Sequence, residues 1–273
     1  MSETVDQPYV LIVEGLISPP IAYRRMRQRL LDQGAAGVDL APVHVHDWMW
    51  AGVAGFGRLQ RQVAHALRRA HGRAEGKPIM VIGHSGGGLL ARLAMYDGPY
   101  RGHVEHVADV VGCLVTLGTP HDLHHMDTRW RHQGVQLSQF LAEQSPGARY
   151  APHTAYLTVG SDAVRPAPAA QPRRRRNPMR GGRDWFFQSL VGTPRPNGSD
   201  GMVSLDVVHL DGACQVTYHD VHHGVVGTPW YGDTHVVERW WPLALDAWRT
   251  ASLARATEPA DHDPAPVTGG PTY

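Results

Sequence analysis

The sequence predicts an α/β protein built on a mostly parallel central sheet with helices on both faces. Short apolar runs rich in β-branched residues alternate with longer segments whose apolar positions recur at helical spacing. Those short runs are continuously apolar rather than alternating, as strands covered on both faces should be. The 273 residues, 42% hydrophobic and 19% charged, are enough for one large core.

Residues 9–14, YVLIVE, read as the first strand. Pro20 opens a helical pattern with Ile21, Met26, Leu30 and Leu31 along one side, and Gly34 stops it. Residues 38–45 read as the second strand. Residues 56–71 read as a helix, with Leu59, Val63, Ala66 and Leu67 as its apolar stripe and Arg58, Arg61, Arg68 and Arg69 on its wet side. Residues 79–82 are the third strand and residues 89–96 the next helix. Residues 110–117, 155–159 and 214–219 supply the remaining strands, the last including His219. Residues 233–248 read as a closing helix interrupted at Pro242.

Two stretches break this rhythm and are expected to form a small irregular cap above the sheet: residues 121–152, with a helix over 135–143, and residues 161–196. The second is rich in Pro, Arg and Ala, and its four consecutive arginines, 173–176, read first as a solvated loop. One domain over residues 1–254 is expected, followed by a disordered tail over 255–273.

The charge balance of 26 basic against 25 acidic side chains provides no general attraction to nucleic acid or an anionic membrane. No run of 18 apolar residues is present, and the acidic, polar start MSETVDQPYV does not resemble a signal peptide, so a cytoplasmic protein without a transmembrane segment is expected. Cys113 and Cys214 both lie in strand-like runs without CxxC spacing. Two buried free thiols in a reducing compartment are expected, with a disulfide between them left open.

The stretch VIGHSGGGLLARLAM, residues 81–95, contains the chemistry. A strand ends, Gly83-His84-Ser85-Gly86-Gly87 follows, and a helix begins. This is Gly-x-Ser-x-Gly in the context that exposes a serine hydroxyl at the carboxyl edge of a sheet. Glycines two residues either side avoid collisions between strand and helix. The amino end of the helix favours developing negative charge beside Ser85. No Gly-Lys-Ser/Thr follows, so a phosphate loop does not fit.

A serine needs a base, and the base an orienting acid. Asp200 stands in the turn-rich segment NGSDGMVSL, with Asp206 and Asp211 as rivals. VTYHDVHHGVVG offers His222 and His223, of which only one can face the serine. The order serine, acid, histidine is the one this architecture uses. Two main-chain donors are expected for an oxyanion: Gly86, just after the nucleophile, and Leu16, in the loop where Gly15 permits a close turn.

These residues resemble the α/β-hydrolase superfamily and, within it, lipase-like serine esterases of a bacterial and plant-chloroplast group. The resemblance rests on VEGLISPPIAYRRM, DWMW, GHSGGGLLAR, LVTLGTPH, SDGMVSL and PWYGDTHVVERWWP, and covers residues 9–125 and 199–242. It implies Ser85 as nucleophile, Asp200 as acid and a histidine shortly before PWYG as base. His223, followed by the small Gly224, matches that pattern better than His222. Glu14 stands before Gly15 where a proline or histidine is expected, and the arginine-rich excursion has no counterpart. The implied activity is hydrolysis of small-molecule or lipid-like esters through an acyl-enzyme, with no metal and no cofactor. A thioesterase or acyltransferase would use the same triad, and a non-catalytic binding protein the same fold. Trp185, Phe186 and Phe187 are possible pocket lining. HDLHH, with His121, His124 and His125, admits a zinc reading that lacks a further ligand.

Overall fold

The computed structural model describes residues 7–16, 20–124, 133–165, 197–224 and 229–257. Its strands are β1 (Tyr9–Val13), β2 (Gly37–Leu40), β3 (Ile79–His84), β4 (Val111–Leu117), β5 (Ala155–Ser161) and β6 (Cys214–Tyr218). They hydrogen-bond in the order β2-β1-β3-β4-β5-β6, every pair parallel. The helices are α1 (Pro20–Asp32), α2 (Val45–Ala54), α3 (Gly57–Arg73), α4 (Gly86–Met95), α5 (Gln133–Gln144) and α6 (Thr234–Thr257). The chain steps outward from β1 to β2 and then returns to place β3 on the other side of β1. At such a reversal two loops leave neighbouring strands in opposite directions and open a crevice at the carboxyl edge. The register Val13↔Gly83 sets the loop after β1 against the turn after β3.

All residues of β3 and β4 are buried. Because side chains alternate across a strand, successive residues feed different cores. Leu11, Val13, Val81 and Leu114 pack with α3, α4 and α5 on one face. Val10, Ile12, Met80, Ile82 and Val115 pack with α1 and α6 on the other. Helices therefore cover both faces, as the continuously apolar strands require.

Several sequence expectations are corrected. β2 ends at Leu40 rather than at residue 45, and Val45 instead begins α2, whose inward residues Trp48 and Ala51 are buried. A short apolar run followed by more apolar residues carries no periodicity that separates strand from helix. β6 ends at Tyr218, so His219 lies beyond it and pairs with Asp162 at 2.6 Å. Cys214 is exposed, not buried, because β6 is an edge strand, while Cys113 is buried; both are free. With β5 between their strands, their backbones lie roughly two strand spacings apart, about 9–10 Å, too far for a disulfide.

α6 is not interrupted at Pro242 but runs to Thr257, so residues 255–257 are helical rather than tail. Its buried face, including Val236, Val237, Trp240, Trp241, Ala244 and Trp248, continues straight past the proline. Each buried indole contributes roughly 2–3 kcal/mol of burial, against about 3 kcal/mol for an interior proline. The indoles are also hydrogen-bonded, Trp240 to the Tyr231 carbonyl at 3.0 Å and Trp248 to that of Pro78 at 3.2 Å. At the far end, Arg255 donates to the carbonyls of His153 (2.6 Å) and Val111 (2.7 Å). No helix among the described residues is long and apolar enough to cross a membrane.

The expected helix over 135–143 lies within α5. Residues 173–176, Trp185, Phe186, Phe187 and the tail beyond residue 257 lie outside the described residues.

Replacing Trp240 with alanine should lower the unfolding free energy by roughly 3–5 kcal/mol, read from urea denaturation followed by circular dichroism. A loss below about 1 kcal/mol would show that α6 does not anchor this face.

Candidate active site

β3 ends at His84, α4 begins at Gly86, and Ser85 alone makes the turn with φ 54° and ψ −130°. That is the left-handed side of φ for a residue with a side chain, a strain of about 1–3 kcal/mol. The turn is held by its own hydrogen bonds, Ser85 N–H to the Leu117 carbonyl at 2.9 Å and Gly88 N–H to the Ser85 carbonyl at 3.1 Å. The flanking glycines are steric necessities. A β-carbon on Gly83 would lie 2.4 Å from Gly88 Cα, and one on Gly87 2.1 Å from the Val13 carbonyl. Ser85 itself is only half-buried, so a substrate can reach it.

The loop after β1 closes against this serine. A β-carbon on Gly15 would lie 2.8 Å from Ser85 Cβ, which leaves room for glycine only. Gly86 opens α4, where the first N–H groups have no intrahelical partner.

Asp200 and His223 are both buried and hydrogen-bonded to each other, Nδ1 to Oδ2 at 2.8 Å. The carboxylate can only accept, so Nδ1 is the donor of this bond. The other carboxylate oxygen accepts from the N–H groups of Met202 (3.0 Å) and Val203 (2.8 Å), and the Tyr231 hydroxyl donates to Oδ2 at 3.0 Å. Burial alone would raise the Asp200 pKa, but the adjacent His223 and these donors outweigh it and hold it below the usual carboxylate value. The His223 N–H also donates to the Asp200 carbonyl at 2.9 Å, fixing one loop to the other.

His84, next to Ser85, joins the two halves. Its ring lies 4.8 Å from that of His223, centroid to centroid. His84 Nε2 donates to the His223 carbonyl at 2.8 Å, so Nδ1 is the acceptor and takes the Tyr23 hydroxyl proton at 2.8 Å. Tyr23 in turn accepts from the Gly15 N–H at 2.9 Å. Burial, with the proximity of His223, pushes the His84 pKa down to about 3, so the ring is neutral and its tautomer fixed. Half-buried Glu14, just before Gly15, is raised to about 7 by burial, partly countered by Arg24.

The structure thus brings Gly15, Leu16, Ser85, Gly86, Asp200 and His223 to one region of the carboxyl edge. The Ser85 side chain does not cap α4, and among the described residues no hydrogen bond joins it to His223. His222 instead pairs through its main chain with Pro229 at 2.7 Å. Asp206 is exposed and accepts from Ser204 at 3.0 Å, and Asp211 is exposed on another loop. In HDLHH, His121 is buried and hydrogen-bonded to Thr116 (3.0 Å) and Arg92 (3.2 Å), whereas exposed His124 pairs with Asp122 and Glu143. Among the described residues no group of side chains is arranged to hold a metal ion, and His125 lies outside them. Tyr23, His84 and Tyr231 were not singled out from the sequence. Tyr231 lies in the PWYG segment and His84 inside the serine pentapeptide, but only their burial reveals a role.

A family described as the PGAP1-like alpha/beta domain matches residues 58–149, from α3 through α5 and the turn after it. No curated protein sequence matches the chain significantly. Among solved structures, the mature form of Bacillus licheniformis lipase BlEst2 superimposes with a TM-score of 0.56 at 16% identity, covering 89% of this chain and 94% of that one. The product of gene lin2722 of Listeria innocua gives a TM-score of 0.48 at 12% identity, over 87% and 94%. The chain has the α/β-hydrolase fold, with six parallel strands in an open sheet.

His84 supplies a pH signature. Between its folded-state value near 3 and its ordinary value of 6.5, the unfolded chain binds a proton that the folded protein refuses. Its contribution is full above pH 6.5 and is lost as pH falls. The stability advantage of the wild type over His84→Gln should therefore shrink by about 1.4 kcal/mol per pH unit from pH 6.5 to 4. Urea titrations at stepped pH test this, and a gap that stays constant would mean the folded ring accepts the proton.

Proposed function

We propose that the protein is a serine hydrolase that cleaves carboxylic esters through an acyl-enzyme on Ser85. The observation that carries this reading is the buried, hydrogen-bonded Asp200–His223 pair, whose imidazole lies against His84, the chain neighbour of the strained Ser85. His223 Nε2 takes the Ser85 proton as the oxygen attacks the ester carbonyl, and Asp200 stabilises the imidazolium. The N–H groups of Leu16 and Gly86 receive the developing oxyanion. The tetrahedral species collapses with proton transfer from His223 to the departing alcohol. Water then attacks the acyl-enzyme, His223 again taking and returning the proton, and the carboxylic acid leaves. In a free enzyme the contact between hydroxyl and base is often open and closes with substrate bound. The name of the Bacillus licheniformis neighbour, a lipase, is in keeping with a small-molecule or lipid-like ester. Two free cysteines fit a reducing, cytoplasmic setting.

A fluorophosphonate probe should label the wild type and not Ser85→Ala; undiminished labelling of that variant assigns the nucleophile elsewhere. Asp200→Asn should keep its fold and lose about 10³- to 10⁴-fold in kcat on an aryl ester. Turnover within a factor of about three of wild type would remove Asp200 from the mechanism.

A further inference from the structure

Helix α2 has one side at the candidate active site and the other in solvent. Trp48 faces inward: it packs edge-on to Phe56 and lies so close over Gly86 that a β-carbon there would stand 2.8 Å from the indole. On the outer side Val45, Met49, Trp50 and Val53 are 48, 71, 57 and 83% exposed. Their spacing, i, i+4, i+5 and i+8, places them on one stripe of the helix. Lone exposed apolar residues are ordinary, but four large ones in a single stripe are not.

A cavity of about 220 Å³ adjoins that stripe. Trp50, Arg58, Arg61, Arg101 and His103 line it, and the remaining lining is alanine and glycine, with no carboxylate. Arg101 is fixed by the Ala54 carbonyl at 2.7 Å and by Gln133 at 3.2 Å. Arg58 stands 3.5 Å from the buried Asp47. Arg61 is exposed and makes no ion pair among the described residues. Trp50 belongs to both features, at the junction of apolar stripe and cationic cavity. That is where an indole sits at a membrane–water boundary.

We propose that α2 and the adjoining arginine-lined cavity form a docking surface for anionic phospholipid membranes. The cavity receives a headgroup phosphate, and Met49, Trp50 and Val53 enter the boundary between headgroups and acyl chains. Arginine presents planar paired donors to phosphate oxygens, and a cavity lining without acids places no carboxylate against the headgroup. The net charge of +1 supplies no attraction of its own, so binding depends on this local cluster. Trp48, on the opposite side of the same helix, packs over Gly86 and so joins the docking helix to the serine turn.

The test is cosedimentation of full-length Ser85→Ala protein with vesicles of phosphatidylcholine alone and of phosphatidylcholine mixed with phosphatidylglycerol. Binding to the mixed vesicles, falling with salt and at least about tenfold stronger than to the neutral ones, is expected. Combined Met49→Ser, Trp50→Ser and Val53→Ser should weaken it at least about tenfold. Arg58→Gln and Arg61→Gln should each weaken it about fivefold. The apolar triple variant and Arg61→Gln keep the wild-type melting curve, since the residues changed are exposed, and Arg58→Gln is compared with Arg61→Gln at matched folded fraction because Arg58 faces the buried Asp47. No binding, equal binding to both vesicles, or binding that survives both sets of substitutions overturns the proposal. So does a concentration-dependent dimer, abolished by the apolar triple substitution, in protein that ignores vesicles. Because the serine is absent from the protein used, this outcome and the labelling of Ser85 are decided independently.

Discussion

Three hydrogen bonds through two buried rings hold the carboxyl edge of this sheet in one arrangement. Gly15 donates to Tyr23, Tyr23 to His84, and His84 to the carbonyl of His223. They bind the loop after β1, the serine turn and the histidine loop, and the longest single link spans 139 residues of chain. The direction of each bond is fixed, because a carbonyl cannot donate and a neutral imidazole has one proton to give. In a dry interior such a chain is directional and cooperative, and an unmatched member would be costly. The ring between strand and serine therefore acts as a keystone, one that works only while uncharged.

The sheet supplies the platform for that arrangement. Because β1 and β3 are neighbours and parallel, the loops that follow them emerge side by side, and the tolerance between them is set by glycine alone. The strain at Ser85 is sustained by packing on both faces: β3 is wholly buried, and α4 is buried from Gly87 to Met95. A rigid, densely packed base is what allows a residue to be held in a conformation it would otherwise leave.

Much of this was legible in the residues. Continuous apolar runs marked the strands, and Gly-x-Ser-x-Gly between strand and helix marked the turn, because both patterns follow from local sterics. Asp200 and His223, which the fold hydrogen-bonds to each other, were both candidates in the sequence, although the choice of His223 over His222 came from resemblance and not from spacing. What could not be read were properties created by tertiary contact. The start of α2 at Val45 was hidden in an apolar run without period. The continuity of α6 past Pro242 depends on indoles finding partners far away in sequence. The exposure of Cys214 follows from β6 being an edge, which no strand announces by itself. The arginines of α3 read as a wet helix face, and a whole-chain charge near zero concealed that Arg58 and Arg61 share a cavity with Arg101.

The grip of Arg255 has a consequence for where this domain can be cut. One guanidinium near the carboxyl end of α6 satisfies the main-chain carbonyls of Val111, at the start of β4, and of His153, just before β5. Ending the polypeptide at residue 254 would remove a clasp that spans the base of two central strands, at the edge opposite the serine. Such a truncation would loosen the platform from beneath, on the side away from the serine.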